Sequence, residues 1–205
     1  KSKLEILENT IEKEFKKVKK TFNKISFLFI SNYMLEKGIL DILTVFKELT
    51  KDYHNIELHT YGNTFNKKFR YKIEKFNSNN IHIHDKIYGK KKFEVIANSS
   101  FFVLPSWNEG QPLVILEAMS QATAVIASNV GFVSETLGEN YPYIFEAKNK
   151  KSLKKALIKA INDRKNDVGN QLQKRYFKIY SIEKHKNKLL GIFESQNVKR
   201  QNTQN

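Results

Sequence analysis

One stretch near the middle of the chain constrains the fold most strongly, because it combines a strand pattern, a loop and a helix pattern in direct succession. Phe101–Leu104 is short, apolar and rich in residues that favour strands, which is typical of a fully buried strand. Pro112–Ser120 contains good helix formers, with Leu113, Leu116, Glu117 and Ser120 at helical spacing. The loop between them is therefore predicted to join the carboxyl end of a strand to the amino end of a helix.

Such a loop is suited to binding anionic oxygens. Pro112 fits the first turn of the helix, where its missing N–H costs nothing, and Gly110 allows the loop backbone to approach a ligand closely. The free N–H groups and the helix dipole point the same way. A phosphate or a sugar hydroxyl could bind there.

Two carboxylates frame this loop, and a carboxylate can accept two hydrogen bonds from vicinal hydroxyls. Glu109 lies in the loop and Glu117 lies eight residues later in the helix. Taken alone, such a pair is more often a solvated loop glutamate and a helix glutamate in a surface salt bridge.

The stretch Pro105–Glu135 resembles the donor-binding signature of the large retaining glycosyltransferase family with the GT-B fold, family 4 or group 1. The matching segments occur in the family's order: Glu109-Gly110-Gln111-Pro112, then Glu117-Ala118-Met119, then Ala124–Ser128 and Gly131. The resemblance implies that Glu109 is the catalytic residue beside the donor sugar. It also implies that Gly110, Gln111, Pro112 and Leu113 bind sugar and phosphate and that Glu117 holds the ribose.

A second loop, Ser31–Gly38, lies between the first long strand and its helix, where open α/β sheets bind phosphate-bearing ligands. Lys37 matches the family's lysine for the donor diphosphate, although a solvated loop lysine is the structural alternative. Asn32 stands where the family has arginine, so the diphosphate would meet one cation instead of two. Ile87 matches the position where the nucleobase packs, and its backbone is a candidate contact to the base.

Strand and helix patterns alternate along most of the chain, which predicts an α/β fold with a parallel sheet. Strands are predicted at Ser26–Ile30, Glu57–Tyr61, Ile81–His84, Phe101–Leu104, Ala124–Ala127 and Tyr143–Phe145. Helices are predicted near Gly38–Lys51, Phe65–Phe76, Lys91–Ala97, Pro112–Ser120, Val133–Leu137, Lys150–Arg164, Val168–Phe177 and Ile182–Phe193. We therefore expect a Rossmann-like parallel sheet flanked by helices, which the resemblance makes one half of a GT-B fold.

Three segments are expected. Residues 1–24 resemble an interdomain linker with the strand that leads into the second domain, although an ordinary amphipathic start is the alternative. Residues 25–195 are expected to form the nucleotide-sugar-binding domain with its C-terminal helices, and residues 196–205 a polar, frayed tail. The resemblance implies a two-domain hexosyltransferase whose N-terminal acceptor domain is a partner of this chain. The chain alone is then expected to be inactive.

The composition limits the other function classes. The net charge is +15, yet only Arg70, Arg164, Arg175 and Arg200 are arginine and the other 32 basic residues are lysine. Because arginine is favoured for contacts to bases and phosphates, we expect no nucleic-acid partner. There is no cysteine, which excludes disulfides and thiolate zinc sites, and no apolar run reaches the ~18 residues of a spanning helix. A cytoplasmic enzyme is expected, and peripheral attachment to an anionic inner membrane face stays open.

His82 and His84 alternate along one strand, so their imidazoles face the same side at a spacing compatible with metal binding. No carboxylate or cysteine pattern accompanies them, and a polar strand face near the sheet edge is the favoured interpretation. No metal site and no cofactor are therefore predicted. The substrate is expected to be a nucleotide-sugar such as a UDP- or GDP-sugar.

One further departure from the family concerns a turn. Ala122 stands where the family usually has glycine before the strand Ala124–Ala127. Because alanine disfavours positive φ by roughly 1 kcal/mol, either the turn differs or the strain is tolerated.

Taken together, the sequence predicts the donor-binding half of a retaining glycosyltransferase. The expected reaction moves a sugar to a glycan or lipid-linked acceptor in bacterial surface polysaccharide or glycoconjugate synthesis. The alternative is a non-enzymatic nucleotide-binding module, or a basic module that binds nucleic acid or membrane.

Overall fold

Six strands form a single parallel sheet. The structure, a computed structural model, describes residues 7–11, 24–163 and 167–202, with the backbone alone described from 195 to 202. The strands are β1 (Ile25–Ile30), β2 (Ile56–Tyr61), β3 (Ile81–His84), β4 (Phe101–Leu104), β5 (Ala124–Ser128) and β6 (Ile144–Phe145). Their order across the sheet is β3-β2-β1-β4-β5-β6, and every neighbouring pair is parallel. The predicted Rossmann-like α/β fold is confirmed.

Helices connect the strands and cover both faces of the sheet. A short 3₁₀ helix (Leu35–Lys37) precedes α1 (Ile39–Leu49), and the remaining helices are α2 (Lys67–Glu74), α3 (Gly89–Ala97), α4 (Leu113–Ser120), α5 (Val133–Leu137), α6 (Lys150–Asn162), α7 (Val168–Ile179) and α8 (Ile182–Asn202). Across the part of the chain that the structure describes, no helix has both the length and the apolar composition needed to span a bilayer.

Several element boundaries differ by a few residues from the sequence-based expectation, and three of the differences change the assignment of a named residue or segment. Gly38, with φ +70°, separates the 3₁₀ turn from α1, so the helix predicted from Gly38 begins one residue later. Pro112 has extended backbone angles and is the N-cap of α4 instead of lying in its first turn. The backbone of 196–202, expected to be a frayed tail, continues α8 as helix. Most of the predicted linker, residues 1–6 and 12–23, lies outside the described residues.

The central strand β1 is buried on both faces, which explains its nearly continuous apolar sequence. Phe27 and Phe29 point to the face covered by α1 and α6, where they pack with residues such as Phe46 and Leu157. Leu28 points to the opposite face, in the core that includes Leu116 of α4. The two helical layers therefore hold β1, and the loop that follows it, in a fixed position.

The turn before β5 keeps a strained alanine. Ala122 has φ +53°, so of the two expected outcomes the strain is tolerated and the turn is retained. Helix α7 lies directly against this turn, since a Cβ atom added to Gly169 would come within 2.2 Å of the Ala122 carbonyl oxygen. The close packing of α7 gives a physical reason for the fixed turn.

The loops after β1 and β4 are pressed together at Gly38. A Cβ atom added there would lie 2.0 Å from the backbone oxygen of Pro105, whereas one added to Gly89, which also has positive φ, would have no described atom within 4 Å.

We expect Gly89→Ala to lower the free energy of unfolding by about 1 kcal/mol through backbone strain alone. Gly38→Ala should lower it by a further ~1–3 kcal/mol, because the backbone must also move.

Urea unfolding of the two variants measures this difference. Equal losses of unfolding free energy for Gly38→Ala and Gly89→Ala would show that the two loops do not constrain each other.

Candidate functional site

The β4–α4 loop is attached to the segment that follows β1. The backbone N–H of Trp107 donates to the carbonyl oxygen of Glu36 at 2.8 Å, and the indole Nε1–H donates to Asp41 Oδ2 at 2.8 Å. Together with the close approach of Gly38 to Pro105, these bonds hold the two loops in register at the carboxyl end of the sheet. This is the point where the strand order reverses between β1 and β4, and open α/β sheets bind ligands at such points.

Two predicted site residues from these loops form an ion pair. Lys37 Nζ lies 2.8 Å from Glu109 Oε1, although the residues are 72 positions apart in the chain. The side chains are 29% and 13% exposed, so water screens this pair less than it screens an exposed surface salt bridge. Lys37 is therefore an ion-paired lysine and not a freely solvated loop lysine.

Two glycines play different parts at this site, Gly110 within the β4–α4 loop and Gly131 in the loop after β5. Gly131 has φ +51°, and a Cβ atom there would lie 2.0 Å from the Glu109 carbonyl oxygen, so the fold itself requires a glycine at this position. The next residue, Phe132, donates its N–H to the Gly110 carbonyl oxygen at 3.0 Å. A Cβ atom added at Gly110 would meet no described atom within 4 Å, so the packing of the described chain does not require a glycine at this position.

The amino end of α4 opens beside this loop. Among the described residues no side chain caps the helix at Pro112, and Leu113 is 48% exposed. Gln111 is fixed by Asn9, whose backbone N–H donates to its Oε1 at 2.8 Å and whose Nδ2 donates to its carbonyl oxygen at 3.2 Å. The first N–H groups of α4 can therefore act as donors to an anionic ligand.

The segment that carries Asn9 is itself part of the domain. Thr10 Oγ1 donates to the Tyr180 carbonyl oxygen at 2.7 Å, and Ile11 is buried in the core beside α7. The predicted linker therefore includes a short stretch, residues 7–11, that packs against Gln111 of the β4–α4 loop and against α7.

Glu117 is paired with a lysine that the sequence analysis missed. Lys92 Nζ of α3 lies 2.5 Å from Glu117 Oε2, with side chains 22% and 14% exposed. This Oε2 atom is buried, and within the described chain it makes no hydrogen bond of good geometry despite the short contact. Lys92 is the last of three consecutive lysines, Lys90–Lys92, and no sequence signal distinguishes it from the other two.

Asn32 and Ile87 lie on neighbouring loops. Asn32 is exposed and lines a small cavity together with Met34, Asn63, Thr64, Phe65 and Lys86. The side chain of Ile87 is only 9% exposed, so any contact it makes to a ligand must come from its backbone. Neither residue contributes a charge to the site.

A separate polar cluster lies on β2 and β3. The sequence analysis placed His82 and His84 on one strand face and found no carboxylate pattern with them, but the neighbouring strand supplies a carboxylate. Strand pairing places His59 opposite His82, and Glu57 lies two residues before His59 on the same face. One potential ligand atom from each of Glu57, His59 and His82 lies within 4.8 Å of the others.

The chain matches known proteins over most of its length. The family model described as "Glycosyl transferases group 1" matches residues 10–177. Protein CapJ of Staphylococcus aureus is 29% identical over 165 residues, which cover 78% of this chain and 42% of CapJ. The capsular polysaccharide biosynthesis glycosyltransferase CapH of the same species is 29% identical over 133 residues, which cover 62% of this chain and 35% of CapH.

Among solved structures, a mutant of S. aureus TarM in complex with fondaparinux, α-GlcNAc-glycerol and UDP has the same fold. Its TM-score is 0.76 at 22% identity, over 91% of this chain and 38% of that chain. The chain spans roughly two fifths of the length of three of the curated relatives it matches, from 35% to 42%. The chain therefore belongs to the glycosyl transferases group 1 family and has the Rossmann-like fold of one half of a GT-B glycosyltransferase.

Proposed function

We propose that this chain is the donor-binding half of a retaining glycosyltransferase that moves a sugar from a nucleotide-sugar to a glycan or lipid-linked acceptor. The observation that carries the proposal is the Lys37–Glu109 pair, 2.8 Å apart, at the switch point of the sheet and beside the uncapped amino end of α4. A cation, a carboxylate and free amides at one point suit a phosphate joined to a sugar. The name of CapH supports surface polysaccharide as the product class.

The diphosphate would bind between Lys37 and the first amides of α4. Lysine is a compact charge on a flexible stem, so Lys37 can contact a phosphate while it stays near Glu109. Asn32 supplies a neutral side chain where the family has arginine, so Lys37 is the one cation that remains of the family's pair. A site with one cation should bind the donor more weakly than a site with two.

Glu109 would accept hydrogen bonds from the donor sugar. In the reaction the bond between the anomeric carbon and the diphosphate oxygen breaks, and the acceptor oxygen bonds to that carbon on the face the diphosphate leaves. The bonding electrons go to the departing oxygen, and the acceptor proton is released. Lys37 and the α4 dipole stabilise the negative charge that develops there, in a geometry already formed before the donor binds.

Glu117 would hold the ribose through Oε1, the oxygen that Lys92 does not cover, since Oε2 is buried against Lys92. Lys92 keeps this partly buried carboxylate paired, so that its other oxygen can accept from the ribose hydroxyls.

The acceptor groups are proposed to come from an N-terminal domain, since the chain spans only about two fifths of its curated relatives. Holding donor against acceptor supplies much of the rate of a bimolecular reaction. The isolated chain is therefore expected to bind the donor without transferring sugar.

Calorimetry with UDP, GDP, their sugar conjugates and a single-stranded oligonucleotide tests the proposal. We expect one sugar nucleotide to bind with a 1:1 stoichiometry and with only a shallow dependence on salt. Binding of the oligonucleotide alone, with affinity falling steeply as salt rises, would contradict the proposal and favour a basic binding module.

Glu109→Ala should separate the roles within the loop. Because the sugar loses its acceptor while Lys37 is released from its carboxylate, affinity for the sugar nucleotide should fall and affinity for the bare nucleoside diphosphate should be unchanged or higher. Glu94→Ala, which removes a carboxylate paired with Lys90 on α3, is the matched control. Equal losses for both ligands would show that Glu109 does not touch the sugar.

Glu117→Gln should weaken binding of the bare nucleotide by about 1–3 kcal/mol, since two ribose hydroxyls lose their charged acceptor. Calorimetry with UDP or GDP measures this loss, and the variant keeps the volume of the side chain. A dissociation constant equal to that of the unmodified chain would exclude Glu117 from the ribose site.

Gly110→Ala tests whether a ligand, and not the protein's own packing, requires this glycine. We expect the urea midpoint to stay within experimental error, because the added methyl group meets no described atom within 4 Å. Affinity for the sugar nucleotide should fall at least about tenfold, because the methyl group would lie where the ligand approaches. Gly191→Ala in α8, also without a described neighbour, should leave the affinity unchanged. Unchanged binding by Gly110→Ala would place the ligand elsewhere.

A further inference from the structure

The polar cluster on β2 and β3 is built across two paired strands. The rings of His59 and His82 stack with centroids 4.6 Å apart and planes 25° apart. Glu57 Oε1 lies 3.5 Å from His59 Nε2, and the three residues together offer one oxygen and two nitrogens within 4.8 Å. None of these three residues belongs to the loops of the proposed donor site.

His84 helps to define which nitrogen of His59 faces the cluster. His59 Nδ1 and His84 Nε2 are 3.1 Å apart, so a proton shared between them can be held on His59 Nδ1. In that tautomer His59 Nε2 presents a lone pair toward the Glu57 carboxylate. In that tautomer the two acceptors repel each other unless a cation lies between them, and an imidazole fixed by a hydrogen bond to its other nitrogen is the usual form of a metal-bound histidine.

We propose that Glu57, His59 and His82 bind one divalent transition-metal ion of the zinc class. Two imidazoles and one carboxylate match the ligands of zinc and its neighbours better than the all-oxygen sites of magnesium or calcium. Three protein ligands leave a fourth position open toward a solvent-filled cleft, which is also lined by Lys24, Lys91 and Glu94.

Binding would require a small contraction of the cluster. Bonds of about 2.0–2.1 Å at tetrahedral angles place ligand atoms roughly 3.4 Å apart, compared with separations of up to 4.8 Å here. The Glu57 and His59 side chains are 25% and 30% exposed, which leaves them room to rotate. The ion would then join the edge strand β3 to β2 through side chains as well as backbone.

A positive charge close to Glu57 opposes this site. Lys24 Nζ lies 3.9 Å from Glu57 Oε2, and its side chain is 44% exposed. Removing this charge should tighten the binding of a cation, whereas removing a ligand should weaken it. Because the two kinds of variant should change the affinity for a cation in opposite directions, together they test the proposed site specifically.

Titration of the untagged, metal-free chain with Zn²⁺, followed by calorimetry, tests the site. We expect one ion per chain, at least about tenfold weaker binding in His59→Ala and in His82→Ala, and tighter binding in Lys24→Ala. His54→Ala, which removes an exposed histidine outside the cluster, should bind as the unmodified chain does.

Titration with Co²⁺ provides a second readout, since coordination by two imidazoles and a carboxylate gives visible absorption that His82→Ala should abolish. If a histidine variant fails to fold, Glu57→Gln replaces it, because its partly exposed amide can be accommodated at the surface. Absence of one-to-one binding would overturn the proposal. Binding that His59→Ala, His82→Ala or Glu57→Gln leaves intact would also overturn it, and a His59 Nε2–H bond to Glu57 would then explain the cluster.

Discussion

The contact between the loops after β1 and β4 is the constraint on which the candidate site depends. The two loops meet through the approach of Gly38 to Pro105 and through the bonds from Trp107. Since parallel strands bring their carboxyl ends to one edge, a single tight contact there places Lys37 beside Glu109. A site formed in this way is ordered before any ligand arrives, and such preorganised charges stabilise a transition state without reorganising during the reaction.

Both glutamates at the site are held by lysines, and this pairing has an energetic meaning. A carboxylate that is 13% or 14% exposed would be costly to keep ionised if it had no partner. Lys37 and Lys92 lower this cost and keep the carboxylates ready to accept hydroxyl hydrogen bonds. A donor diphosphate would exchange one anionic partner of Lys37 for another, so its net gain from that lysine is smaller than the attraction of the two charges alone suggests.

Sequence reasoning was most successful where the signal is local. The strands β3 and β4 were predicted at their observed bounds, because short apolar or alternating runs flanked by polar turns identify strands directly. The pairing of Lys37 with Glu109 was not predicted, although both residues were assigned to loops that follow strands of the sheet. Lys92 and the partners of His82 could not be foreseen, because they depend on helix placement and on strand register, which no local pattern records.

The lysine-rich composition gains a physical role once the site is known. With Asn32 neutral and Lys37 shared with Glu109, the local positive charge at the site is small for a ligand that carries a diphosphate. The chain as a whole has a net charge of +15, and the summed field of many distant lysines attracts an anion even where few of them touch it. Such a field mainly increases the rate of association, and salt screens it over about 10 Å. The short hydrogen bonds proposed from the donor to Glu109 and Glu117 would be screened much less. Attraction of the donor and recognition of its sugar and ribose can therefore rest on different residues, and the surface lysines can vary in position without altering which donor is recognised.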